Sequence, residues 1–145
     1  MKQKSIIVAQ GTANIGKSMT LSRLGRILVN SGSTTTGNTS RGDYNVTMSY
    51  ISKLIGIQTF GDSPGLVKTG LTDFLNMSCD IIVIASKGYG ATVMEIESFA
   101  KTNNYRVIWT SPYKVWDGSI SANDIKDYSA SHLKLMIDDI ISGRL

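Results

Sequence analysis

Two stretches of the chain lack any alternation between apolar and polar residues, and both predict buried strands. The first lies within Ser5–Gln10, where four apolar residues follow one another, and the second covers residues 81–85. A strand in the middle of a parallel sheet is covered on both faces, so its apolar residues form an unbroken run. We therefore expect both segments to be inner strands of a parallel sheet.

A different spacing, with apolar residues three and four positions apart, predicts the helices. It is clearest in Lys17–Asn30, which carries Leu21, Leu24 and further apolar residues on one face. Gly32 follows this segment as a stop signal. The same spacing predicts three further helices, at residues 66–77, at residues 91–102 and from Ser121 to the C-terminus.

The part of the chain after the first predicted helix changes character twice. Residues 31–43 are rich in Ser, Thr, Gly and Asn, which predicts a loop. Residues 44–52 alternate between apolar and polar, a pattern typical of a half-exposed strand near a sheet edge. Residues 54–60 follow closely enough to be the antiparallel hairpin partner of that strand. A last strand is expected at residues 105–110.

The order of these elements predicts an α/β fold. Strand, turn, helix, hairpin and repeated helix–strand units favour a three-layer sandwich with a mostly parallel five-stranded sheet between helices. With the strands numbered along the chain, we place the first strand at the centre of the spatial order 2-3-1-4-5. One antiparallel edge strand is expected. The chain has 145 residues, the size of one domain, which would span residues 1–145.

Composition and charge exclude several classes of protein but do not indicate an activity. Hydrophobic residues make up 41 % of the chain and charged residues 18 %, which is enough apolar material for a core. No apolar run is long enough to span a bilayer, so we expect no membrane partner. The single cysteine, Cys79, excludes an internal disulfide and suits a reducing, cytoplasmic compartment. The net charge of +4 is compatible with an anionic ligand, and nucleic-acid and protein partners both stay open.

One segment carries a phosphate-binding pattern. Gly11-Thr12-Ala13-Asn14-Ile15-Gly16-Lys17-Ser18 fits G-x-x-x-x-G-K-[ST] and lies between a predicted strand and a predicted helix. The glycines let successive backbone N–H groups surround an anion, and the start of the helix adds partial positive charge. The Lys17 ammonium can reach β- and γ-phosphate oxygens, and the Ser18 hydroxyl can ligate Mg²⁺. We expect residues 11–18 and the next residue, Met19, to bind the nucleotide.

With this motif the chain resembles the P-loop NTPase superfamily, and a second segment adds to the likeness. Asp62-Ser63-Pro64-Gly65 is similar to the D-x-x-G segment of two branches, the GTPases related to translation factors and the ATPases related to MinD and ParA. The resemblance implies a P-loop NTPase fold in which Asp62 follows a strand next to the first strand and holds the Mg²⁺ shell. Lys17 and Asp62 are then the catalytic residues, and Ser18 and Asp62 the metal ligands. Asp80 precedes its strand, so it is expected at the opposite edge of the sheet.

Two departures from these branches leave the choice between them open. Ser111-Pro112-Tyr113-Lys114 stands where a GTPase would carry N-K-x-D, so guanine specificity is not supported. Thr12 stands where the ATPases related to MinD and ParA normally carry a second lysine.

Several further side chains could touch the nucleotide, and each is explained at least as well as an ordinary surface or packing residue. They are Arg41 as an arginine finger, Thr39 or Ser40 as a magnesium ligand, Lys87 and Tyr89 as contacts to nucleotide or acceptor, and Trp109 or Trp116 as a platform for the base.

The sequence thus predicts a Mg²⁺-dependent protein that binds ATP or another nucleoside triphosphate. The leading hypothesis is a slow NTPase that acts as a nucleotide-dependent switch, with shape changes in residues 31–43 and 62–69. One alternative is a kinase that transfers the γ-phosphate to a small molecule or nucleotide, although the stretch after Tyr105 has only Arg106 and Arg144 for the arginine-rich lid that kinases use. The other alternative is a nucleotide-binding interaction module without turnover.

Overall fold

The computed structural model describes residues 1–11, 16–37 and 42–145, and over these residues the chain is an α/β protein with a six-stranded mixed sheet and four helices. The strands are β1 (Ser5–Gln10), β2 (Thr34–Thr35), β3 (Asn45–Tyr50), β4 (Lys53–Gln58), β5 (Ile81–Ser86) and β6 (Arg106–Thr110). The helices are α1 (Lys17–Asn30), α2 (Pro64–Asn76), α3 (Ala91–Asn103) and α4 (Ala122–Ser142).

The sheet has the order β2-β3-β4-β5-β1-β6. The four strands β4, β5, β1 and β6 are parallel, whereas β3 is antiparallel to β4 and β2 is antiparallel to β3. The expectation of five strands was therefore wrong, because the polar segment at residues 31–43 contributes the short strand β2. An edge strand of two threonines pairs on one side and buries little, so it leaves no hydrophobic period in the sequence.

The predicted order 2-3-1-4-5 was also wrong, since β5 lies between β1 and β4. Asp80 fixes the start of β5 beside the start of β4. Its backbone N–H donates to the carbonyl of Leu54 at 2.8 Å, and its carboxylate accepts from the N–H of Leu54 at 3.0 Å. The unbroken apolar runs of β1 and β5 show that both strands are covered on both faces, but such runs do not specify the neighbours of a strand.

Two cores lie on opposite faces of the sheet because successive strand residues point to opposite sides. Ile7 and Val83 pack with α1 and α4 on one face, and Ile6 and Ile82 pack with α2 and α3 on the other. This arrangement agrees with the expected layer of sheet between two layers of helices.

The helix ends follow from their capping residues. The side chain of Ser63 accepts from the N–H of Leu66 and starts α2 two residues before the predicted position, with Pro64 in the first turn. Ser121 accepts from the N–H of Asp124 and starts α4 where the sequence predicted it. In the part of the chain that the structure describes, no helix combines the length and apolar character that crossing a membrane requires.

Candidate functional site

Three segments meet at the edge of the sheet where the parallel strands end. They are the residues that follow β1, β4 and β5, and α1 begins at the same edge. Because the carboxyl ends of parallel strands lie side by side, polar groups in these segments come close together although they are far apart in the sequence.

Lys17 is the first residue of α1 and is buried, with 7 % of its surface exposed. Its ammonium donates to the carbonyl of Gly11 at 2.7 Å and to the carbonyl of Ser86 at 3.2 Å. Gly11 directly follows β1 and Ser86 is the last residue of β5, so the charge is held at the sheet edge. The carboxylate of Asp62 lies 3.6 Å from the same ammonium, and its side chain is 72 % exposed.

Asp62 reaches Lys17 by a route that the sequence did not predict. Its strand, β4, is separated from β1 by β5, but the residues after β4 pass across the end of β5. A Cβ on Gly61 would lie 1.7 Å from the carbonyl oxygen of Ala85, so this crossing requires a glycine. The structure thus brings the two predicted catalytic residues together, while the predicted adjacency of their strands was wrong.

The hydroxyl of Ser18 contacts a carboxylate that sequence analysis missed. It donates to Asp43, and the hydroxyl of Thr59 donates to the same carboxylate oxygen at 3.2 Å. The N–H of Tyr44 donates to the Thr59 hydroxyl at 2.9 Å, which links the start of β3 to the end of β4 next to the site. A sequence signal was present, since Asp43 is the acidic residue immediately before the alternating strand pattern.

A cavity of about 170 Å³ joins these groups. Its polar lining comes from Lys17, Ser18, Asp43, Thr59 and Asp62. The lining therefore combines one buried ammonium, two hydroxyls and two carboxylates, a set that suits an anionic ligand together with a hard cation.

The start of α1 adds positive potential to this edge. Gly16 is the N-cap in the left-handed conformation, with φ of 96°. The first turn contains Lys17 and no acidic residue. The unpaired N–H groups and the partial positive charge of a helix start favour a bound anion.

The remaining predicted nucleotide contacts fall into three groups. Thr12, Ala13, Asn14 and Ile15 lie outside the described residues, as do Thr39, Ser40 and Arg41. Gly11 and Met19 lie at the site edge, where the N–H of Gly11 donates to the carbonyl of Ser86 at 3.2 Å and Met19 is half exposed. Lys87, Tyr89 and Trp116 are exposed on the loops after β5 and β6, and Trp109 is partly buried against the core of α2 and α3.

Asp80 lies outside the site, as expected, and so does Cys79. Asp80 lies at the opposite edge of the sheet, where it holds β4 to β5. Cys79 is a buried thiol whose carbonyl accepts from the hydroxyl of Tyr105 at 2.5 Å. Burial raises the pKa of Cys79 to about 12, so its thiol stays protonated and unreactive near neutral pH.

Among the described residues, no cluster of three or more His, Cys, Asp or Glu side chains could hold a metal ion by itself. The chain matches no protein-family model, no curated protein and no solved structure. What the site binds is therefore inferred from its own side chains and backbone.

Proposed function

We propose that the chain is a Mg²⁺-dependent nucleoside-triphosphate-binding protein of the P-loop NTPase kind, with ATP as the expected nucleotide. The observation that carries the proposal is the Lys17 ammonium, buried at the start of a helix and tied to the carbonyls of Gly11 and Ser86. In this proposal residues 11–18 surround the β- and γ-phosphates.

The hydrogen bonds of Lys17 support a role in holding phosphate. An ammonium has three N–H donors, and two of them are used by the carbonyls at 2.7 and 3.2 Å. The third is left for the Asp62 carboxylate or for a phosphate oxygen. Because carbonyls orient the charge without neutralising it, a bound phosphate group would supply the negative charge that Lys17 and the start of α1 both favour.

The neighbouring oxygen atoms fit Mg²⁺. This ion binds hard oxygen ligands, usually one or two carboxylates together with substrate phosphates and water. Ser18 and Asp43 would hold it, with Asp62 as the second carboxylate at the same cavity. When bound, the ion would neutralise charge on the β- and γ-phosphate oxygens. A site of this kind needs no three-residue metal cluster within the protein.

For the reaction we propose slow hydrolysis of the γ-phosphate. Lys17 and the helix start would position the phosphate and stabilise the charge that develops on its oxygens. Asp43 ends the polar segment at residues 31–43 and contacts Ser18, so the state of that segment would depend on the ligand at Ser18. Hydrolysis at Ser18 would then change the conformation of residues 31–43 and with it the protein surface that they form.

Release of inorganic phosphate from ATP tests this function. With Mg²⁺ present we expect slow release that is lost on chelation and in Lys17→Ala, but kept in Lys101→Ala, which removes an exposed lysine from the end of α3. If the protein bound nucleotide but released no phosphate, it would be a binding module and not a hydrolase. If it transferred the phosphate to an added acceptor, it would be a kinase.

A further inference from the structure

A second cavity, of about 90 Å³, lies under α4 beside the ends of β1 and β6. Ala9 and Thr110 are paired residues of these two strands, and their small side chains leave room below the helix. Leu133 and Met136 cover the room from α4. The cavity shares no lining residue with the one beside Lys17.

Thr20, in the first part of α1, lines this cavity and is buried, with 1 % of its surface exposed. Its hydroxyl has no hydrogen-bond partner among the described residues. Of the other hydroxyls in the wall, those of Ser111 and Tyr113 belong to exposed residues, and those of Thr110 and Ser129 have partners. Thr110 donates to a carbonyl of β1 at 2.8 Å, and Ser129 donates to a carbonyl of α4 at 3.0 Å while accepting from the N–H of Tyr113 at 3.0 Å. A buried hydroxyl without a partner is costly, and a ligand atom in the cavity would remove that cost.

Two aromatic side chains form the solvent side of the cavity. The hydroxyl of Tyr113 and Nδ1 of His132 are 2.7 Å apart, and their rings meet edge to face with centroids 5.3 Å apart. Both residues are exposed, so their side chains can change rotamer on the nanosecond timescale. The cavity is thus reachable from solvent without a change in the backbone.

We propose that this cavity binds a small uncharged aromatic alcohol, with its hydroxyl on Thr20 and its ring against Leu133 and Met136. Among the described residues that line it, none is Asp, Glu, Lys or Arg, which favours an uncharged ligand. The methionine sulfur and the ring edges of Tyr113 and His132 suit an aromatic body. This binding does not depend on the nucleotide site.

Water fills the same space less well. A cavity of about 90 Å³ has room for several water molecules. Each buried water needs two to four polar partners, and among the described residues Thr20 is the only buried hydroxyl of the wall that lacks one. One apolar body with a single polar end matches this lining better.

Phenol is a suitable probe, used without nucleotide and followed by ¹H–¹³C spectra of methyl groups. Ala9, Thr20, Leu133 and Met136 all carry methyl groups that line the cavity. We expect saturable shifts at these methyls, with a dissociation constant of about 1 mM or lower, and little change at Val8 on the other face of β1. Shifts that do not saturate, or that spread evenly over the surface, would overturn the proposal.

Two variants make the test specific. Thr20→Val keeps the shape but removes the hydroxyl, and should weaken phenol binding roughly three- to tenfold. Ala9→Val adds two carbon atoms within the cavity and should abolish saturable binding, whereas Val8→Ile, which adds one carbon on the opposite face, should leave it unchanged. Equal affinity in the wild type and Ala9→Val would show that phenol binds elsewhere. Equal affinity in Thr20→Val would show that Thr20 is not its partner.

Discussion

Asp43 and Asp62 approach the Lys17–Ser18 pair from two different segments of the chain. Asp43 accepts from the Ser18 hydroxyl, whereas Asp62 lies 3.6 Å from the Lys17 ammonium. The two carboxylates therefore have different neighbours in the same cavity. In the proposed site, Asp43 would hold Mg²⁺ together with Ser18, and Asp62 lies closer to the Lys17 ammonium.

The role of Asp43 can be tested through the requirement of nucleotide binding for Mg²⁺. In Asp43→Asn we expect the Mg²⁺ concentration that gives half-maximal ATP binding to rise about tenfold or more, because a carboxylate beside Ser18 is lost. Asp117→Asn, on an exposed loop, should match the wild type. A titration of Mg²⁺ against binding of a fluorescent ATP analogue measures this. An unchanged requirement in Asp43→Asn would remove Asp43 from the metal site.

Gly61 is the residue that lets the chain cross the end of β5. Gly61→Ala places a Cβ against the carbonyl of Ala85, a backbone atom that has little freedom to move. We expect a loss of about 1–3 kcal/mol in the free energy of unfolding, measured by urea denaturation. Gly65→Ala is the control, since nothing lies within 4 Å of its added Cβ. If the two variants were equally stable, the close approach would not constrain the chain.

At the level of elements, the neighbours of a strand are set by contacts that a hydrophobic pattern does not contain. The hairpin of β3 and β4 was predicted correctly from alternation and spacing, although Ile51 and Ser52 form its turn with φ of 49° and 62° in place of the usual glycine or asparagine. The position of β5 was not predicted, because it depends on the side chain of Asp80 and on the path through Gly61.

Asp80 gives a test of what holds β4 beside β5. Asp80→Ala removes the acceptor of the Leu54 N–H, and we expect the protein to lose about 1 kcal/mol of stability. Amide hydrogen exchange at Leu54 should become faster at the same time. The exposed Asp73→Ala on α2 is the control and should change neither. Unchanged exchange at Leu54 in Asp80→Ala would contradict the role given to this carboxylate.

At the level of the whole molecule, polar and charged groups gather at two opposite edges of the sheet. One edge holds Asp80 and the starts of the parallel strands, and the other holds Lys17, Ser18 and the carboxylates. The sequence predicted the α/β class, the helices and the Lys17 and Ser18 positions, since these follow from local patterns. Strand β2, the strand order and Asp43 depend on pairing between distant segments, which local patterns do not carry.

Two ionisable groups buried in the core beside α2 and α3, Cys79 and Tyr105, should make the protein less stable at high pH. Burial raises the pKa of the Cys79 thiol from 9.0 and of the Tyr105 hydroxyl from 10.0, in each case to about 12. Between the unfolded and folded pKa values, these two groups lose their protons in the unfolded chain but keep them in the folded chain. The free energy of unfolding therefore falls as the pH rises from about 9 to 12. Urea denaturation at pH 8, 10 and 11 measures this fall, which should be smaller in Tyr105→Phe. Constant stability from pH 8 to 11 would contradict it.

Calorimetric titration of the protein with ATP in the presence of Mg²⁺ tests the central claim most directly. GTP and ADP serve as comparison ligands, and Lys17→Ala as the variant that removes the buried ammonium, with Lys101→Ala as its matched control. We expect ATP to bind the wild type and Lys101→Ala with equal affinity, and Lys17→Ala to lose most of that affinity. If no nucleotide bound the wild-type protein at millimolar concentration, or if Lys17→Ala bound ATP as the wild type does, residues 11–18 would not be a nucleotide phosphate site.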